Sequence, residues 1–98
     1  MTVNQIREEL MQVRYYYANK ELLDQSMQIT GNAEFLEMIK KYNSSILAAE
    51  PKLYAVYVYL YLENYTQVAL ANKWGFAPEY IQRLHSRLLN FFHKQFNC

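Results

Sequence analysis

Scarce punctuation is the tightest constraint on this chain, whose 98 residues include only two glycines and two prolines. Its breaks fall at Thr30-Gly31-Asn32, at Glu50-Pro51, around Asn64-Tyr65-Thr66, and at Gly75-Phe76-Ala77-Pro78. The long unbroken stretches between these breaks favour helices. From Asn4 to about Met27, Ile6, Leu10, Val13 and Tyr17 recur at helical spacing, with Arg7, Glu8, Glu9 and Gln12 on the other face. Residues 22–27 either continue that helix or restart it after Asn19. Asn32 suits the cap of a second helix, along which Phe35, Leu36, Ile39, Tyr42, Ile46 and Leu47 form an apolar stripe. Pro51 suits the first position of a third helix, where its missing N–H costs nothing.

The tract 55–62 reads two ways. Its apolar and tyrosine residues alternate with period two, as a strand would. A lone strand, however, has no partner for its backbone hydrogen bonds, so the expectation is a helix apolar nearly all round, placed centrally. A short fourth helix over 66–74 and a long last one from Pro78 to about Gln95 complete the reading. The predicted fold is all-α, a compact single domain of about five helices. It comprises an N-terminal helical pair (1–50) and a helix-turn-helix region (51–98).

Composition narrows the function classes. Hydrophobic residues make up 52% of the chain, too many for a disordered tail. The single cysteine, Cys98, supports neither an internal disulfide nor a cysteine-rich zinc site. No run approaches a transmembrane span, and Met1-Thr2-Val3-Asn4-Gln5 lacks the design of a signal peptide, so a cytoplasmic protein is expected. The formal net charge of +1 argues against a binder that holds nucleic acid by charge alone. That charge is unevenly spread. Residues 1–50 carry five Lys+Arg against seven Asp+Glu, whereas residues 51–98 carry five against two.

The strongest constellation lies between Thr66 and Leu84. Two helices crossing steeply need a small residue at the contact, a sharp turn, and apolar residues locking the pair. Ala71 is the small residue, and Gly75 can adopt the positive φ of the turn. Leu70, Trp74 and Phe76 bracket them, Pro78 starts the second helix, and Ile81 and Leu84 face back. Glu79, Tyr80, Gln82, Arg83, Ser86 and Arg87 are then left outward. Ala77, at the cap position, has no side-chain acceptor. This polar face, basic toward its later turns, suits base edges first and phosphates afterwards.

The residues Leu53-Tyr54, Tyr57, Tyr65-Thr66-Gln67, Ala69, Ala71, Trp74-Gly75-Phe76, Pro78-Glu79-Tyr80-Ile81, Arg83-Leu84-His85, Arg87-Leu88-Leu89 and Phe92 carry a resemblance. The stretch of about 50–93 resembles the RinA/ArpU-like transcriptional regulators of Gram-positive phages and prophages. Their helix-turn-helix is similar to the promoter-reading C-terminal domain of sigma factors. The resemblance extends more weakly to Arg14-Tyr15-Tyr16-Tyr17 and the second helix. It implies that Gln67, Pro78, Glu79, Tyr80, Gln82, Arg83, Ser86 and Arg87 face DNA.

Enzymatic patterns are missing from the sequence. His85 and His93 lie eight residues apart without the spacing of a metal site, and the adjacent Glu8 and Glu9 splay about 100° apart on a helix. Neither a glycine-rich phosphate loop nor a serine elbow is present, and no cofactor or metal is implied. The ten tyrosines read first as core and rim packing, then as an interface, such as a homodimer seam built from the first two helices. The leading expectation is therefore a sequence-specific regulator of transcription that binds double-stranded DNA. Arg83 and Arg87 would contact guanine or phosphate, Gln82 and Glu79 would read base edges, and Thr66, Gln67 and Lys73 would anchor the backbone. RNA polymerase is a further expected partner, through the N-terminal helices. Two alternatives stay open: a helical inhibitor that binds protein through the same scaffold, and a small terminase-like packaging protein.

Overall fold

The computed structural model describes residues 1–30 and 33–97, with side chains described for 1–25 and 33–97. The expected Asn32 cap and the Cys98 thiol lie outside the described residues. Among those residues the chain is all-α, with no strand and six α-helices. They are α1 (Val3–Ala18), α2 (Lys20–Thr30), α3 (Ala33–Ser45), α4 (Pro51–Tyr57), α5 (Gln67–Trp74) and α6 (Pro78–Phe96). A 3₁₀ turn (Ile46–Ala48) follows α3, and a π-helical segment (Val58–Leu62) extends α4.

Side chains acting on backbone explain the boundaries. Thr2 and Gln5 form a reciprocal cap on α1: Gln5 N–H donates to Thr2 Oγ1 at 3.1 Å, and Thr2 N–H to Gln5 Oε1 at 2.7 Å. Asn19 separates α1 from α2 with a non-helical backbone, φ −127° and ψ 30°, and its side-chain amide joins its backbone N–H in donating to the Tyr15 carbonyl, at 3.0 Å and 3.2 Å. The long first helix therefore divides, which accounts for the sixth helix. Pro51 opens α4 as expected, after the extended Glu50.

The ambiguous tract is helical, for a reason visible in its burial. Leu53, Val56, Tyr57, Leu60 and Tyr61 are buried, a 3–4 spacing that the all-apolar tract contains alongside its period-two alternation. The last turn widens, with Glu63 N–H donating to the Val58 carbonyl at 2.9 Å and Tyr65 N–H to that of Tyr59 at 2.9 Å. Asn64 then turns the chain at φ 62°. Arg14 of α1 steadies that turn, its Nε donating to Asn64 Oδ1 at 2.6 Å.

One core joins both halves, so the charge asymmetry does not mark two separate cores. Ile6, Leu10 and Val13 of α1 meet Tyr42 and Ile46, the central α4 segment, Leu70 and Ala71, and Leu84, Leu88 and Phe92. Two expectations need correction. Tyr16, rather than Tyr17, continues the buried stripe of α1; its ring lies 5.9 Å from Phe35 and its hydroxyl donates to Asp24. Leu47 is 72% exposed, because the tighter 3₁₀ turn points it outward while Ile46 stays inside.

The tyrosines bear out the packing reading, each deep ring keeping its polar tip satisfied. Tyr42 donates to Glu9 at 2.8 Å and Tyr57 to Asn43 at 2.7 Å. Burial raises the pKa of both phenols, so they remain neutral donors. Of the triplet, Tyr15 leaves the core, at 59% exposure.

Candidate nucleic-acid interface

The turn between α5 and α6 has the geometry its residues imply. Thr66 caps α5 by accepting the Ala69 N–H at 3.0 Å. At the other end Gly75 takes φ 74°, ψ 30°, while Phe76 N–H donates to the Ala71 carbonyl at 2.9 Å and Gly75 N–H to that of Asn72 at 3.4 Å. This paired closure is the Schellman pattern of a helix ending at glycine. Leu70 and Ala71 are fully buried where the helices meet, with Ile81 and Leu84 opposite. Ala77 caps α6 without a side-chain bond.

Space around Gly75 is open, since a Cβ built there meets nothing within 4 Å. Gly75→Val is therefore expected to cost about 1–2 kcal/mol through left-handed backbone strain alone. Urea denaturation measures it as a lower midpoint at unchanged slope.

Burial divides α6 sharply. Ile81, Leu84, Leu88, Leu89 and Phe92 are buried, while Glu79, Gln82, Arg83, Ser86 and Arg87 are exposed on the opposite face. Those five residues line one open groove of about 510 Å³. Their spacing of three and four forms a single stripe of donors and acceptors along the first three turns. Arg83 has no ion-pair partner among the described residues. Glu79 lies in the first turn, where a carboxylate complements the helix dipole, so attraction for phosphate grows toward Arg83 and Arg87.

Four expected site residues are placed with additional duties. Arg87 forms an ion pair with Glu50, and Lys52 donates to the Tyr80 hydroxyl at 2.8 Å. Tyr80 is consequently half-buried: it leans on Phe76, with ring centroids 4.7 Å apart, and turns toward α4 rather than straight outward. Phe76, expected to lock the helix pair, is 47% exposed and packs mainly on Tyr80. Lys73 sits 5.8 Å from the Tyr59 ring centroid, in the last turn of α5. Thr66 spends its acceptor on the cap, and Gln67 is half-buried beside it. Pro78 occupies the exposed first position of α6.

Glu50 and Lys52 escaped the sequence reading. They lie 37 and 28 residues from their partners Arg87 and Tyr80, and only the packing of α4 on α6 brings them there. Both side chains of the Arg87–Glu50 pair are about half exposed. Such surface pairs are worth about 0–1 kcal/mol, so a phosphate can displace Glu50 at little cost.

His85 flanks this face and is partly buried against the π-helical segment. Its Nε2 lies 2.5 Å from the Tyr61 hydroxyl, and the two rings stack at a centroid distance of 5.9 Å. Burial lowers the His85 pKa, with Arg7 adding to the effect, while burial pushes the Tyr61 phenol up to about 12. Both groups are thus neutral near pH 7 and share this one hydrogen bond. Because the folded pKa lies below the unfolded one, the unfolded chain takes up protons first as pH falls. Stability is expected to be full above the unfolded value of about 6.5 and to decline below it. His85→Gln should flatten that part of a stability–pH curve measured by thermal melts.

No helix of the described residues is long and apolar enough to cross a membrane. Compared with known proteins, the chain matches no family model, no curated protein and no solved structure.

Proposed function

We propose that the protein is a sequence-selective binder of double-stranded DNA that regulates transcription by placing α6 in the major groove. The observation that carries this reading is the exposed stripe Glu79–Gln82–Arg83–Ser86–Arg87 on a helix held by a glycine-terminated turn. A helix so presented offers amide, carboxylate, hydroxyl and guanidinium groups to base edges. Thr66, Gln67 and Lys73, on the preceding helix, approach the phosphate backbone. The regulatory role follows the resemblance of residues 50–93 to RinA/ArpU-like phage regulators. With few cations on this face, affinity for arbitrary DNA is weak, and selectivity comes from base contacts.

The test is titration of the protein with DNA fragments flanking its own gene, at two salt concentrations. Selective binding that falls with salt supports the reading, whereas a folded protein with no preference among fragments refutes it. Protein binding through the same scaffold is the second reading. It is favoured by Tyr54 and Phe76, 43% and 47% exposed, beside an apolar groove lined by Pro51, Lys52, Ala55 and Trp74. Capture of a protein partner that is lost on Phe76→Ser would support it.

A further inference from the structure

The polar stripe of α6 does not stop at Arg87. Asn90 and Lys94 are exposed and continue it, at spacings of three and four, along the same face. With Arg87 they rim a second open groove of about 310 Å³, whose apolar residues are Leu53 of α4 and Phe91. Leu53 is buried and Phe91 half-buried, so the donor groups border an apolar floor. Helix side chains slope toward the N-terminus, which carries the Lys94 ammonium back toward Asn90 and away from the negative end of the helix. Among the described residues no carboxylate lines this groove, and Lys94 has no ion-pair partner.

Chemistry and reach name the ligand that suits this groove. An anion already stands at its edge: Glu50 gives its carboxylate to Arg87 in a pair half open to solvent, and so weakly held. Guanidinium, amide and ammonium groups bordering an apolar floor match a sugar–phosphate unit, the phosphate on the rim and the carbon face of the deoxyribose on Phe91. Glu79 to Arg87 covers about 12 Å of helix, about the width of a major groove, and Lys94 lies about 10 Å farther on. A helix runs straight while the groove winds round the duplex. These later turns therefore meet the backbone and not the bases.

We infer that Arg87, Asn90 and Lys94 form a binding site for the DNA sugar–phosphate backbone, with Glu50 as the internal anion that the phosphate displaces from Arg87. The site lies beside the stretch read by the first turns of α6, and the inference rests on placing α6 against the duplex as proposed above. It adds Asn90 and Lys94 as contacts blind to base sequence. It also makes Glu50 a brake that acts on every duplex equally.

Titration of the full chain across a salt series tests this, using the gene-flanking fragment it binds most tightly and a scrambled duplex. Lys94→Ala is expected to weaken both by the same factor, about tenfold near 0.1 M salt, and to lower the salt slope by about one. Asn90→Ala, which removes a neutral donor, should weaken both at unchanged slope. Lys94→Arg should keep the wild-type slope, as should Lys20→Ala, which removes an equal charge from α2. Glu50→Gln should tighten both duplexes alike. A wild-type slope in Lys94→Ala, or a loss confined to one duplex, would overturn the inference and leave the DNA reading intact. So would an equal fall in slope for Lys20→Ala, which would reduce Lys94 to bulk charge. Equal wild-type affinity for the two duplexes would refute sequence selectivity but not the backbone site, which the Lys94→Ala slope still supports. A folded chain that binds neither duplex refutes both.

Discussion

Replacement of Phe92 by alanine is expected to cost about 3–5 kcal/mol of folding stability. Phe92 is fully buried on α6, and its ring touches the aromatic residues of three elements. It lies 4.9 Å from Tyr42 of α3, 5.7 Å from Tyr57 of α4 and 5.7 Å from Phe96 of α6, centroid to centroid. Truncation leaves a cavity whose walls are held by hydrogen bonds elsewhere, Tyr42 to Glu9 and Tyr57 to Asn43. Those anchors limit the collapse that would otherwise recover part of the loss. Small domains are stable by only about 5–15 kcal/mol, so the variant would unfold at much lower urea. A urea titration followed by circular dichroism measures this directly. Phe92→Leu, which keeps most of the volume, should recover the larger share.

Arg83→Ala should have the largest effect on DNA binding with the fold intact. Its side chain is exposed, free of ion pairs among the described residues, and central in the α6 stripe. Removing a guanidinium that contacts guanine costs about 1–3 kcal/mol of discrimination, or roughly 5- to 150-fold in the dissociation constant. If Arg83 instead binds phosphate, affinity falls evenly across sequences and the salt slope decreases by about one. Arg87→Ala should cost less, because Arg87 must first leave Glu50, and Glu50→Gln should tighten binding slightly. Fluorescence anisotropy against the selected fragment and a scrambled one separates these results. Unchanged affinity in both arginine variants would remove α6 as the reading helix.

Much of this could be read before the fold, because its determinants are local. Gly75 closes the turn, Pro51 and Pro78 start helices, and Thr66 caps α5, all through forces acting within a few residues. The division of α6 into buried and exposed faces likewise follows from a 3.6-residue period written in Ile81, Leu84, Leu88 and Phe92. Asn19 was harder to read. Asparagine breaks one helix and is tolerated in another, and the outcome depends on whether its amide reaches a carbonyl.

What the sequence alone determined was therefore the helical class, the position of the turn and the side of α6 left to solvent. Tertiary structure decided which of the outward groups remain free. It paired Arg87 with Glu50, drew Tyr80 to Lys52, stacked His85 on Tyr61 and widened the end of the α4 segment into a π turn. The reason is distance along the chain. Periodicity and turn chemistry report interactions between neighbours, whereas these pairs join residues 24 to 37 apart. Such partners become near only after the apolar faces have packed and fixed how each helix is rotated. At that stage geometry, rather than residue type, decides which charge meets which.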